Sequence, residues 1–151
     1  MAWCTQTDLV NAITEETLID YCDDVGTRLM DAAALVFMNA AIASAEAEIQ
    51  GYLYERYPSE CAAKTSDSLI DQIALCITVR NLNDRRPSAG ITISWANRIE
   101  RAFNNLESLA KGRMTPPTWG ADTDLITVGE THYPETQHIH EMEADQEIIS
   151  L

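Results

Sequence analysis

The sequence predicts an all-α fold: a compact bundle of about five helices, two short and three long, continued by an extended C-terminal arm. Three observations carry this prediction. Over most of residues 1–112, apolar residues recur at alternating steps of three and four, the spacing that lines one face of a helix. A residue able to cap a helix N-terminus stands just before each periodic stretch. Beyond Gly112 the periodicity stops, and the composition turns to Pro-Pro, glycine and acid.

Thr5 is placed to cap the first short helix, with Asp8 favourable near its positive end and Leu9, Val10 and Ile13 on its apolar side. Thr14 caps the second, Glu15 to about Cys22, where Leu18, Ile19 and Cys22 share a side. CDDVGTRLMD then breaks the pattern with acids and a glycine. Asp31 caps the first long helix, about Ala32 to Tyr57. Leu35, Met38, Ile42, Ala45, Ile49 and Tyr52 form its seam, with Glu46 and Glu48 off it. Its many alanines favour helix and permit close approach of a neighbour. Pro58 stops it, and PSECAAKTS reads as a loop. Ser66 caps the next helix, Asp67 to about Leu82, whose face is Leu69, Ile70, Ile73, Ala74 and Ile77. After the basic break NDRRPSAG, the last helix starts near Thr92 to Ser94. Trp95, Ile99, Phe103, Leu106 and Ala110 form its stripe, Arg98, Arg101 and Asn105 lie off it, and Gly112 suits the position just past its end.

The stretch EIQGYLYERYP, residues 48–58, concentrates three tyrosines at one helix end. By spacing, Ile49, Tyr52 and Leu53 continue the seam, and Gly51 lets another helix come close. Tyr54, Arg56 and Tyr57 are left to cover the helix end or a neighbouring subunit.

The chain divides into a helical domain, 1–112, and an acidic arm, 113–151. The arm has one basic and eight acidic residues, so this quarter of the chain holds half of the net charge of −14. Such a segment has too little apolar area to fold alone. It keeps a strand-like DLITV and spaced anchors: Trp119, Leu125, Ile126, Val128, Tyr133, Ile148, Ile149 and Leu151. Anchors on an acidic arm predict ordering against a partner.

With 24 acidic and 10 basic residues, the chain is a poor candidate for gripping nucleic acid, because phosphate contacts need Lys and Arg. It suits surrounding DNA without holding it, since a like-charged wall repels a polyanion. Arg80, Arg85 and Arg86 stand out against this background. They read as helix-end charge complementing the macrodipole, as salt-bridge partners for an acidic neighbouring subunit, or as a nucleic-acid contact. No run of about 18 apolar residues is found, so no membrane span is predicted. The N-terminus lacks the pattern of a secretory signal. Cys4, Cys22, Cys61 and Cys76 form no close pair, which predicts free, reduced thiols.

Catalytic motifs are missing: there is no P-loop, dinucleotide fingerprint, GxSxG or HExxH. His132, His138 and His140, with Glu141 and Glu143, are the best metal candidate, but they sit in the arm without rigid support. The acids Asp20, Asp23 and Asp24, and Glu46 with Glu48, read as solvated surface rather than acid–base pairs. All three histidines lie in the arm, so the helical part has no nucleophile–histidine constellation. The sequence therefore predicts a non-enzymatic protein with no catalytic residues, no metal and no cofactor.

Several stretches together resemble the Mu-like phage head–tail connector proteins, also described as adaptor or head-completion proteins. MAWCTQTDLVNAI is similar to that family's start, with an aromatic residue, Thr-Gln and an acid-Leu pair. AIASAEAEIQGYLYERYP resembles its Ala-rich helix closing on Asp/Glu-Ile-x-Gly-Tyr-Leu-x-x-Arg-Tyr. IDQIALCITVRNL resembles the helix that follows, and RIERAFNNLESLAKGRMTP the last helix with its Leu-x-x-Leu/Ile-Ala-Lys/Arg-Gly close. The likeness covers about residues 1–115. The chain departs from the family's proline-rich loop after the tyrosine helix, where PSECAAKTS has one proline.

The resemblance implies a structural protein of the virion neck, mostly α-helical, present in the host cytoplasm during assembly. It implies a homo-oligomeric ring, typically of twelve copies, seated on the portal protein. Such a ring extends the DNA channel and offers a docking surface for the next neck or tail-completion protein, with genomic DNA passing through the lumen and no membrane involved. The alternative reading is a small acidic helical interaction module, a phage regulator or inhibitor acting as monomer or dimer.

Overall fold

The computed structural model describes residues 2–24 and 26–120. These form α1 (Gln6–Ala12), α2 (Glu15–Cys22), α3 (Ala32–Leu53), α4 (Pro58–Ala63), α5 (Ser68–Arg85), a 3-10 turn (Pro87–Ala89) and α6 (Ile93–Ala110). The fold is all-α, as the sequence predicts.

Local chemistry sets most of the boundaries. At α1, Thr5 Oγ1 accepts from the Asp8 amide, while the Asp8 carboxylate accepts from the Thr5 amide at 2.8 Å, a reciprocal capping box. Thr14, Asp31 and Thr92 cap α2, α3 and α6 through their side-chain oxygens. At the end of α6, Gly112 takes φ +68°. Its amide donates to Leu109 O, and the Arg113 amide donates to Ser108 O at 2.8 Å. This pair closes the helix as a Schellman motif and requires the left-handed residue that glycine supplies.

Four features differ from the sequence reading. PSECAAKTS is not a loop: its first six residues form α4, because Pro58, which cannot continue α3, is well suited to the first position of a new helix. α3 consequently ends at Leu53, not Tyr57. The cap of α5 is Asp67, whose carboxylate accepts from the Leu69 amide at 2.9 Å. Ser66, one residue earlier, instead donates to the Asp71 carboxylate. α5 also runs on to Arg85.

The centre of the domain is α3, α5 and α6. α3 and α5 are antiparallel, since Arg80 meets Glu48, Asn81 meets the Ala41 carbonyl and Arg85 meets Phe37. α1 and α2 pack across this centre. The buried face of α3 runs through Ala34, Met38, Ala41, Ile42, Ala45, Ile49 and Leu53. After Ile49 the seam steps by four, so Leu53 is buried and Tyr52 points out. Gly51, expected at a close helix approach, faces open space.

By length and composition α3 could cross a membrane, with a mean hydropathy of 1.4 over its most apolar window. A search for one unbroken apolar run misses this because Asn39, Glu46, Glu48 and Gln50 interrupt it. In the fold both carboxylates are engaged: Glu46 pairs with Lys64 and Glu48 with Arg80. Glu46, read as solvated, is buried and also accepts the Trp3 amide at 3.1 Å. Asp23 is likewise buried, and its two carboxylate oxygens accept from the Gly26 and Arg28 amides, fixing the turn after α2.

The first residues of the expected arm return to the helical domain. Pro116 and Trp119 are buried. The Trp119 ring meets Tyr57 edge-on at 5.5 Å and Trp3 at 6.0 Å. Thr118 donates to Asp67 through its amide at 2.8 Å and its hydroxyl at 2.7 Å. Burial opposes charge on Asp67, but the donors Thr118, Leu69 and Ile70 outweigh it and hold the carboxyl below its ordinary range.

Two outcomes follow. Trp119→Ala removes a core side chain and should cost about 3 kcal/mol by urea denaturation, although residue 119 lies beyond the last helix. Because the folded pKa of Asp67 lies below the unfolded value, near 3.9, its stabilisation is complete above about pH 5 and is lost as pH falls through the folded value. Asp67→Asn abolishes that increment, so its unfolding free energy should fall less steeply than that of the wild type below about pH 4.

Candidate interaction surface

The tyrosine-rich end of α3 separates into two environments. Tyr57, expected at a surface or neighbour contact, is fully buried, with its hydroxyl accepting from Arg56 Nε at 3.3 Å. Tyr52 and Tyr54 are exposed. The Arg56 guanidinium lies against Gly112, where any Cβ would collide with it. The ends of α3 and α6 therefore meet here, and Met114 adds partly exposed apolar surface. At the start of α3 stand other exposed apolar side chains, Leu29 (65%) and Val36 (64%). Val36 and Tyr52 are about 24 Å apart along the helix at 1.5 Å per residue. Ile93, at the start of α6, is 81% exposed.

The basic cluster is engaged within the chain. Arg80 grips both Glu48 oxygens, at 2.6 and 3.3 Å, and lies over the Phe103 ring. Arg85 donates to the Tyr21 carbonyl at 2.7 Å, pairs with Asp24 and stacks on Phe37. Arg86 donates to the Asp23 carbonyl. Tyr21 and Asp23 supply carbonyls left without partners at the end of α2, so α5 caps α2 with two arginines. The helix-end reading is thus realised on a neighbouring helix of the same chain. Trp119, expected to anchor a partner, is spent on the core. Leu125, Ile126, Val128, Tyr133, Ile148, Ile149 and Leu151 lie outside the described residues, as do the three histidines.

Sequence reading passed over Arg98 and Arg101 as merely off the core stripe. Among the described residues neither makes an ion pair, and Arg98 only stacks on Trp95 at 4.2 Å. Local sequence carries no signal that singles them out: no acid stands three or four residues from either, but the same holds for Arg85 and Arg86, which find their partners on and beside α2. The two arginines border a groove between α5 and α6 whose lining includes Gln72, Ile73, Cys76, Ala102 and Asn105 and no carboxylate.

All four cysteines are free and buried. Burial raises their pKa values, to about 11 for Cys4 and Cys61, which keeps the thiols protonated and unreactive at neutral pH. Among the described residues no group of three His, Cys, Asp or Glu side chains is placed to hold a metal ion.

Arg85→Glu/Arg86→Glu should unfold at a lower urea concentration, with a loss of about 3 kcal/mol, since it removes the bonds to the Tyr21 and Asp23 carbonyls and turns the Asp24 pair into a repulsion. Arg101→Glu, which breaks no ion pair among the described residues, should lower the midpoint of the same titration by much less than the double variant.

Comparison with known proteins places this helical domain. No curated protein matches the chain. The family described as bacteriophage Mu Gp36 matches residues 3–130, which covers every described helix and continues past Trp119. The chain belongs to the bacteriophage Mu Gp36 family.

Proposed function

We propose that this phage protein is a structural head–tail adaptor, without enzymatic activity, that forms a ring on the portal protein. The observation that carries the reading is its membership of the Mu Gp36 family, joined to the likeness of four stretches in order to the connector proteins. The geometry is compatible in two respects. A ring needs two unlike surfaces on each copy, because its interfaces are head-to-tail and must close. The domain exposes Leu29 and Val36 at one end of α3 and Tyr52 and Tyr54 at the other. The net charge of −14 suits a channel wall that repels DNA and lets it slide. In this reading the ring has about twelve copies in the virion neck, and its far side receives the next neck or tail-completion protein.

Native mass spectrometry of the purified protein with its portal tests the reading. The expected result is a complex carrying a ring of many copies per portal. A protein that stays monomeric or dimeric beside an intact portal overturns it and favours a small interaction module.

A further inference from the structure

We infer that the groove between α5 and α6 is the docking site for the chain's own acidic segment, residues 121–130. This goes beyond the adaptor reading and does not rest on it.

The groove has an apolar floor of Ile73, Cys76 and Ala102, with Arg98 and Arg101 on the α6 rim. The rest of the basic surface shows what is unusual here. Arg80, Arg85, Lys64 and Lys111 each hold a carboxylate of the same domain, Arg86 holds a carbonyl, and Arg28 shares its pocket with Glu15, Glu16 and Asp20. Arg56 is spent on Tyr57 against Gly112, and Arg113 stands in the field of Glu107. Arg98 and Arg101 form a cationic pair one turn apart, and the groove they border is lined by no acid. In a chain of net charge −14, such a pair matches a carboxylate-bearing segment with apolar residues to cover the floor.

Residues 121–130, ADTDLITVGE, carry that chemistry: three acids, no base, and Leu125, Ile126 and Val128. Asp122 and Asp124 are two residues apart, which in an extended chain places both carboxylates on one side at about 6.6 Å. Arg101 and Arg98 rise about 4.5 Å along α6, a difference that long arginine side chains absorb. The point of departure also fits. Thr118 is bound to Asp67, the cap of α5, so the chain leaves the described fold within two turns of Leu69 and Gln72, which line the same groove. The family match independently continues to residue 130, through the acids and the apolar triplet. The domain then ends near residue 130 rather than 112, and residues 131–151 are what remains for a partner.

Hydrogen exchange on the full-length chain tests this. In the wild type, amides of residues 121–130 should exchange at least tenfold more slowly than in a free peptide of that sequence, equally at low and high protein concentration. Arg98→Glu/Arg101→Glu should remove the protection while exchange of α3 and α5 is unchanged. Adding Asp122→Arg/Asp124→Arg to that variant should restore it. Arg98→Gln/Arg101→Gln, a milder change, should give partial loss. Peptide-like exchange in the wild type overturns the assignment, as does protection that appears only as concentration rises, which would give the groove to another copy. Binding of a duplex DNA probe that requires the two arginines and releases residues 121–130 would also overturn it, in favour of phosphate.

Discussion

The architecture depends on one backbone carbonyl. Thr65 O accepts the indole N–H of Trp3 at 3.0 Å and of Trp119 at 3.1 Å. A carbonyl oxygen can take two donors, and a buried tryptophan must place its single donor somewhere. Residues from opposite parts of the chain therefore converge on the link between α4 and α5. The carbonyl is aimed by Lys64, a non-glycine residue at φ +48°. That conformation carries a cost, and the Lys64 side chain offsets it by pairing with Glu46, which also accepts the Trp3 amide. Tyr57 completes the cluster under the Trp119 ring. Most of this network is long-range in sequence, so its parts stabilise one another only once the bundle has closed.

This explains which features were legible beforehand. Caps, helix periods and the glycine closing α6 are local, and the sequence displays them: Thr5, Thr14, Asp31 and Gly112 act as read. The errors cluster where tertiary contacts decide. Pro58 announces both an end and a beginning, and only packing of Cys61 into the core favours the second. Glu46 and Asp23 look like solvated acids because nothing local reveals Lys64, the Trp3 amide or the turn amides that reach them. Trp119 looks like a partner anchor because composition beyond Gly112 is polar, although one buried aromatic with an acceptor for its N–H suffices to pin a short strap.

Charge follows the same logic. The excess of acid tempts a reader to treat any arginine as an interface residue. Arg80, Arg85 and Arg86 show why that inference fails: in a chain rich in carboxylates and helix-end carbonyls, a cation finds an internal partner first. The informative arginine is the one left over after internal pairing, and only the fold identifies it, because Arg85 and Arg86 also lack acids at helical spacing and are paired across helices. Arg98 and Arg101 meet that condition in the fold.

The tyrosines of EIQGYLYERYP show how one residue type serves two purposes across a few positions. Tyr57 is reached from Leu53 by the same four-residue step that carries the seam beyond Ile49, so it falls inside, beneath Trp119. Tyr52 and Tyr54 flank Leu53 and fall outside. Nothing in the core requires either of them: replacing a solvated tyrosine leaves no cavity and strands no donor. Their rings, beside Arg56 and Met114, place an exposed, partly apolar surface at the far end of α3 from Leu29 and Val36. In the head-to-tail ring that we propose, one of these ends would cover the other.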